Sequence, residues 1–281
     1  MTLLTAPNEQ AHLSEHDFQG ICRLVRNSCG IHLGADKRSL IEARLTRRVR
    51  ARNLDSFHAY CKYLFRSADE EELTSFINCI TTNKTDFFRE PRHFELLTRI
   101  AIPGLKHLRR PFLLWSAACS SGEEPYTIAM VLSEYQQTHP GFSFRIFASD
   151  ISTDALEQAV RAIYTTEVIE PVPMHLRRKY LLKSRDRHRG HVRITPELRS
   201  LVSFERLNFI DDDYGLDEKA HVIFCRNALI YFDRPTQKKI VGKLLHHLVP
   251  GGYLFIGHSE NLNAMKLPLE RTAPAMYQKR E

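Results

Sequence analysis

The sequence predicts a doubly wound α/β domain on a parallel sheet, preceded by an all-helical domain, and three observations carry that expectation. Runs rich in apolar, β-branched and aromatic residues recur at Phe112 to Ala117, Phe144 to Asp150, Val202 to Phe209, His221 to Asn227 and Gly252 to Ser259. Helical periodicity lies between most of them, and strands that are apolar throughout are those buried on both faces. Upstream of residue 95 no strand pattern interrupts apolar positions that repeat every three or four residues. The expected division is therefore an all-helical domain with its linker over 1–95 and the sheet domain over 96–281.

The elements follow in order. Ser14-Glu15-His16-Asp17 is a capping start for a helix with Phe18, Ile21, Cys22 and Val25 on one face. Asp36 to Asn53 is basic, carrying Lys37, Arg38, Arg44, Arg47, Arg48, Arg50 and Arg52 against Asp36 and Glu42, and Arg44, Arg47 and Arg48 share a face. Such a run is either a solvated face or a surface for an acidic partner, and the net charge of +7 favours the latter. Leu73, Phe76, Ile77 and Ile80 mark another helix. In the sheet domain, Glu124-Pro125 opens a helix with Ile128, Val131, Leu132 and Tyr135. Ser152 caps one with Leu156, Ala159, Val160 and Ile163. Asp233 and Pro235 open one carrying Ile240, Val241, Leu244, Leu245 and Leu248, closed by Pro250-Gly251-Gly252.

Composition excludes several classes. No apolar stretch reaches the roughly 20 residues a membrane span needs, and Met1 to Asp17 lacks the features of a signal peptide, so the expected location is cytoplasmic. Cysteines 22, 29, 61, 79, 119 and 225 form no C-x-x-C pair, and Cys22, Cys29 and His32 suit a core better than a metal, so no metal is assigned.

Chemistry is expected where strands end. The fourth run stops on Arg226-Asn227 and continues to Ala228-Leu229-Ile230-Tyr231-Phe232-Asp233, and ligands of open α/β sheets sit beyond the carboxyl ends of strands. The first run leads into Ala118-Cys119-Ser120-Ser121-Gly122-Glu123-Glu124, a loop of small residues that lets a ligand approach the backbone. One glycine makes neither a G-x-G-x-x-G fingerprint nor a P-loop. Two glutamates at the helix start repel a pyrophosphate and suit a cation. Asp150, closing the second strand, can accept from two ribose hydroxyls, or merely cap the following helix. S-adenosylmethionine, with its sulfonium, α-amino group and ribose, satisfies these demands.

Five ordered motifs carry a more specific likeness: Thr82-Asn83-Lys84-Thr85-Asp86-Phe87-Phe88-Arg89-Glu90, Trp115 to Tyr126, Ala148-Ser149-Asp150-Ile151, Phe224 to Asp233, and Gly257-His258-Ser259-Glu260-Asn261. With them the chain resembles the CheR-type chemotaxis receptor methyltransferases over most of residues 14 to 280. The resemblance implies a Rossmann-like S-adenosylmethionine-dependent methyltransferase fold with a small antiparallel β-subdomain inserted at about 165–200. It further implies methyl transfer to glutamate carboxylates of chemoreceptors, giving methyl esters. Asn83, Thr85 and Arg89 would close over the cofactor, Ala117 and Glu124 line its methionine end, Asp150 hold the ribose, Asn208 and Phe209 flank the adenine, and Arg226 and Asn227 sit by the reacting sulfur. Arg89 and Tyr231 would orient the acceptor carboxylate. Outside the resemblance, Asn83 reads equally as a helix C-cap, Arg89 as a surface residue and Tyr231 as a packing aromatic.

The implied subdomain matches short strand patterns at Lys179 to Ser184, Gly190 to Thr195 and Leu201 to Asn208 around the basic loop Arg185 to Gly190. In some relatives it adds a strand to a receptor tether peptide; this loop is richer in Arg and His and poorer in Gly than theirs. The expected partners are receptor methylation helices met by Arg44, Arg47 and Arg48, with a tether peptide at the subdomain. A nucleic-acid amino-methyltransferase would need a polar, proline-rich acceptor motif where Asn227 to Tyr231 stands, so no nucleic-acid partner is expected. A non-catalytic cofactor-binding module is the other rival, opposed by the presence of both Arg89 and Tyr231.

Overall fold

Ser14 accepts the Asp17 N–H at 3.1 Å and thereby starts helix α1 (Glu15–Cys29), which ends where Gly30 takes φ 73°. The computed structural model describes residues 12–105, 111–184 and 190–280. Helices α2 (Arg38–Ala51), α3 (Phe57–Arg66) and α4 (Glu70–Ile80) follow, with Ser56 and Asp69 capping the last two. The core of this first unit includes Ile21, Leu45, Tyr60 and Phe76, each fully buried. Tyr231–Asp233 belong to the same unit: the His32 N–H donates to the Tyr231 carbonyl at 2.8 Å, and Arg26 pairs with Asp233 at 2.6 Å.

The basic helix is held largely by its own fold. Glu72 of α4 is fully buried and accepts from the Tyr60 hydroxyl at 2.7 Å, from Arg48 Nε at 3.0 Å and from Arg52. Burial raises the Glu72 carboxyl, but donors on Arg48, Tyr60 and Arg52 outweigh it and hold it below the usual range. Removing one partner of such a pair costs about 3–5 kcal/mol, because the other charge stays buried. Arg44 donates to the Ile80 carbonyl and, at 3.0 Å, to the Thr82 hydroxyl. Of the expected three-arginine face, Arg44 and Arg48 are half-buried and engaged within the fold, and Arg47, with Arg50, is exposed.

The second unit, Asn83–Ile230 with Arg234 onward, holds the sheet. Helix α5 (Arg92–Leu96) runs through a π turn at Leu97–Ala101 into α6 (Ile102–Gly104). Strand β1 (Phe112–Ala117), α7 (Glu123–Thr138), β2 (Phe144–Asp150) and α8 (Thr153–Arg161) come next, the last capped by Ser152. An insertion follows, made of β3 (Ile163–Thr165), α9 (Met174–Tyr180), β4 (Leu181–Lys183) and β5 (His191–Ile194). Then come α10 (Pro196–Arg199), β6 (Val202–Arg206), β7 (Ala220–Cys225), α11 (Arg234–His246), β8 (Leu248–Ile256), β9 (Leu269–Ala273) and β10 (Met276–Lys279).

The main sheet has the order β6-β2-β1-β7-β8-β10-β9, parallel through β8 and antiparallel at β10 and β9. From β1 the chain winds outward through β2 to β6, then returns to β7 on the other side. The switch point therefore lies between β1 and β7, where Ala117 pairs with Cys225. A second sheet, β3-β5-β4, is antiparallel.

Several expected boundaries are corrected. Leu201 to Asn208 does not join the small sheet: Val202–Arg206 pairs with β2, and the third small strand is Ile163–Thr165, freed from the expected helix because Ala162 turns left-handed at φ 53°. Pro250-Gly251-Gly252 lies inside β8 instead of closing α11, with a register shift in the β7–β8 pairing between Ala220 and Val222. The two C-terminal antiparallel strands and α3 were not foreseen. The basic loop Arg185 to Arg189 lies outside the described residues, and among the described residues no helix is long and apolar enough to cross a membrane.

Candidate functional site

The switch point assembles three strand ends within the second unit. After β1 the backbone enters the left-handed region at Ala118 (φ 65°), Ser120 (φ 50°) and Gly122 (φ 97°), which coils the loop tightly, with the Cys119 N–H donating to the Ser149 carbonyl and the Gly122 N–H to the Cys119 carbonyl. Gly122 is required twice over, by its φ and because a Cβ there would meet Ala159 Cβ at 2.8 Å and the Tyr164 hydroxyl at 2.9 Å. Ser120 is tied at both ends: its N–H donates to Asp150 Oδ2 at 2.8 Å, and its hydroxyl to the Asn83 carbonyl at 2.8 Å. The Asn83 side chain donates to Ser152 Oγ at 3.2 Å. One expected cofactor residue is thus fastened to the β1 loop and the β2 turn together.

Asp150 is buried at the end of β2, and its Oδ1 accepts from the Ser152 N–H at 2.9 Å. Burial raises its carboxyl, opposed by backbone N–H groups of Ser152, Ser120 and Ile151. It therefore caps the following turn and also stitches the two loops. A carboxylate has about four lone-pair sites, so acceptor capacity remains for hydroxyls. Leu207 N–H donates to the Asp150 carbonyl at 2.9 Å, which brings Asn208 and Phe209, both buried, in line after it.

Arg226, beyond β7, is the charge hub. Its side chain is only 2% exposed, and it donates to Glu124 Oε2 at 3.0 Å, to Glu90 Oε2 at 3.1 Å and to the Arg89 carbonyl. Glu124 also accepts the Ser116 hydroxyl at 2.6 Å. Burial raises Glu124 despite Arg226, whereas at partly buried Glu90 the Arg226 charge and hydrogen bond overcome burial and hold the carboxyl low. Asn227 sits at φ 57°, its N–H on Glu260 Oε2 at 3.0 Å and its amide on Glu90 Oε1 at 3.4 Å. Glu260 also accepts from the Gly257 N–H at 2.6 Å and the Ile230 N–H at 3.3 Å. Burial raises its carboxyl against these backbone donors. Gly257 is needed because a Cβ would meet the Asn227 N at 2.9 Å.

The structure brings Asn83, Ala117, Glu124, Asp150, Asn208, Arg226 and Asn227 onto these strand ends and the loops tied to them. Thr85 and Arg89 lie in the segment before α5, both half-buried, with Arg89 NH1 on the Lys84 carbonyl at 3.1 Å. Tyr231 closes a 3-10 turn, Leu229–Tyr231, and its backbone is held by the first unit. Glu90 and Glu260 stood in the quoted motifs without a role. Their signal was legible as carboxylates next to Arg89 and three residues past Gly257, the places from which the Arg226-Asn227 turn is held.

The donor set fits a cationic nucleoside. Glu90 and Glu124 both meet Arg226, Glu260 holds the Asn227 turn next to it and Asp150 closes neighbouring β2, so carboxylates outnumber the Arg226 guanidinium they surround, which favours a positively charged ligand.

Comparison with known proteins agrees. The family model "CheR methyltransferase, SAM binding domain" matches residues 83–276, and "CheR methyltransferase, all-alpha domain" matches 16–81. The chain is 39% identical to chemotaxis protein methyltransferase 2 of Pseudomonas aeruginosa, over 90% of this chain and 89% of that one. It is 38% identical to the chemotaxis protein methyltransferase of Salmonella typhimurium (93% and 89% covered) and 39% identical to that of Escherichia coli (94% and 91% covered).

Proposed function

Because the chain belongs to the CheR methyltransferase family, we propose that it transfers the methyl group of S-adenosylmethionine to glutamate side-chain carboxylates of chemoreceptors, forming the methyl esters of chemosensory adaptation. The observation that carries this reading is the carboxylate-rich switch point between β1 and β7, built from the same segments that the cofactor-domain match spans. Asp150 would hold the ribose, Glu124 and the Ala117 loop the methionine end, and Asn208 and Phe209 the adenine. Bound there, the cofactor supplies a methyl on a sulfonium that leaves as a neutral thioether.

The chain's own part is positioning. A glutamate carboxylate with pKa about 4.3 is ionised at neutral pH, so no general base is needed. It must be desolvated and one oxygen aligned, which is worth several kcal/mol against the roughly 7–11 reached by ideal intramolecular models. Arg89 and Tyr231 are assigned to orient it, Arg89 through a forked hydrogen bond. Charge is neutralised as the bond forms, so an over-strong counter-ion would slow the step. Arg226, engaged by two glutamates, is not assigned to the acceptor.

Receptor recognition is assigned to the exposed arginines of α2, Arg47 and Arg50, facing acidic receptor helices, and the small sheet β3-β5-β4 to a tether strand. The reaction would take place in the cytoplasm. The test is methyl transfer from tritiated S-adenosylmethionine to receptor-bearing membranes, followed by mild alkali. Release of tritiated methanol is expected of esters. Alkali-stable label would identify methylated amines or bases and overturn the reading.

A further inference from the structure

Glu90, His93 and His258 each direct one ligand atom to a common place, the three atoms lying within 4.8 Å of one another. Glu90 and His93 stand three residues apart on one turn, closed by the His93 N–H on the Glu90 carbonyl at 3.0 Å, the Glu-x-x-His spacing that carboxylate–imidazole metal sites use. His258 arrives from the other direction, just beyond β8. Its N–H reaches Glu90 Oε1 at 3.3 Å, and its ring lies 4.8 Å from that of His93, nearly perpendicular.

His93 is the second, independent observation. It is fully buried against Phe224 and Phe255, yet neither ring nitrogen has a hydrogen-bond partner. An unsatisfied buried polar group costs about 1–3 kcal/mol, and such a group calls for an explanation. Its Nδ1 is 3.4 Å from Glu90 Oε2, close to the edge of about 3.3 Å expected between tetrahedral ligands at metal distances of about 2.0–2.1 Å. The backbone is strained at the same place, with Phe88 and Glu90 both at φ 54°. Two glutamates on Arg226, with Glu260 nearby, leave local negative charge that a dication would balance.

We propose that Glu90, His93 and His258 form a site for a transition-metal dication of the zinc class. Two imidazoles and a carboxylate exclude magnesium and calcium, which take oxygen shells, and exposed His258 gives entry from solvent with a remaining position for water. Occupancy draws on the carboxylate that also holds Arg226 and Asn227, so metal weakens cofactor binding; this regulatory half rests on the proposed function of that site.

The test uses the full chain without an affinity tag, stripped with chelator. Zn2+ is titrated calorimetrically and Co2+ by its visible absorption. One-to-one binding is expected, with Zn2+ displacing Co2+, and His258→Ala should weaken it at least about tenfold, the lower end of what loss of even a supporting group costs a metal site. Because His258 is exposed, this variant should keep its fold, and circular dichroism checks it. Absence of binding by the wild type, or equal binding by His258→Ala, overturns the site. S-adenosylhomocysteine is then titrated with and without Zn2+. Weaker binding with Zn2+ in the wild type but not in His258→Ala supports the coupling, and equal affinity overturns it. Failure of the metal-free protein to bind S-adenosylhomocysteine would sink the cofactor reading and leave the metal result standing.

Discussion

Asp150→Asn separates the two jobs the structure gives that carboxylate. Its oxygens accept from Ser120 N–H at 2.8 Å and Ser152 N–H at 2.9 Å, so the residue ties the β1 loop to the β2 turn before any ligand arrives. Alanine would cut both ties at once. Asparagine keeps the shape and one acceptor but turns an NH2 toward one of the two amides. That loses one charge-assisted bond, about 1.5–3 kcal/mol, and orphans a buried donor at about 1–3 kcal/mol more. Urea unfolding of the ligand-free protein should register this. Cofactor affinity should fall separately through the lost ribose contact, by about 1.5–3 kcal/mol or roughly 10- to 150-fold. Calorimetric titration with S-adenosylhomocysteine, well below the unfolding midpoint, measures it. Lower stability with wild-type affinity would refute the ribose assignment and leave Asp150 as a loop tie.

Arg89→Ala and Tyr231→Phe should lower methyl transfer to receptor membranes far more than they lower S-adenosylhomocysteine affinity, with the separation less complete for Arg89; wild-type rates in both would discard the acceptor assignment. Reversing Arg47 and Arg50 to Glu should raise the receptor concentration for half-maximal methylation, with an effect that fades in high salt, and leave S-adenosylhomocysteine binding intact. Indifference to both reversal and salt would return the exposed face of α2 to solvent. Burial, aided by the Asp86 charge and opposed by hydrogen bonds from Ser121 and the backbone, pushes Glu123 up to about 7. A raised folded pKa means the native state holds the proton more tightly, so its contribution is full below about 4.5 and lost as pH rises through about 7, up to about 3 kcal/mol. Urea midpoints of wild type and Glu123→Gln measured from pH 4.5 to 8 should diverge in that window, and parallel profiles would count against a protonated Glu123.

The sequence by itself determined the elements whose signals are local. The spans Phe112–Ala117 and Phe144–Asp150 are strands at the expected limits, because buried parallel strands need continuous apolar runs. Ser14 and Ser152 cap helices as their side chains require. The ordered motifs also sufficed for the family, and with it the cofactor. Tertiary structure decided what depends on partners remote in sequence. Leu201 to Asn208 reads as a short strand of either sheet, and only its register against β2 assigns it to the larger one. Arg48 and Arg47 are neighbours in a basic run, yet one meets buried Glu72 and the other meets water, since successive helical residues point about 100° apart. Glu90, His93 and His258 meet across the chain because α5 and the end of β8 converge on one place, and no local spacing encodes that convergence. Periodicity records which face of an element is buried; what lies opposite that face is decided only when the strands are ordered and the loops at their ends are tied together.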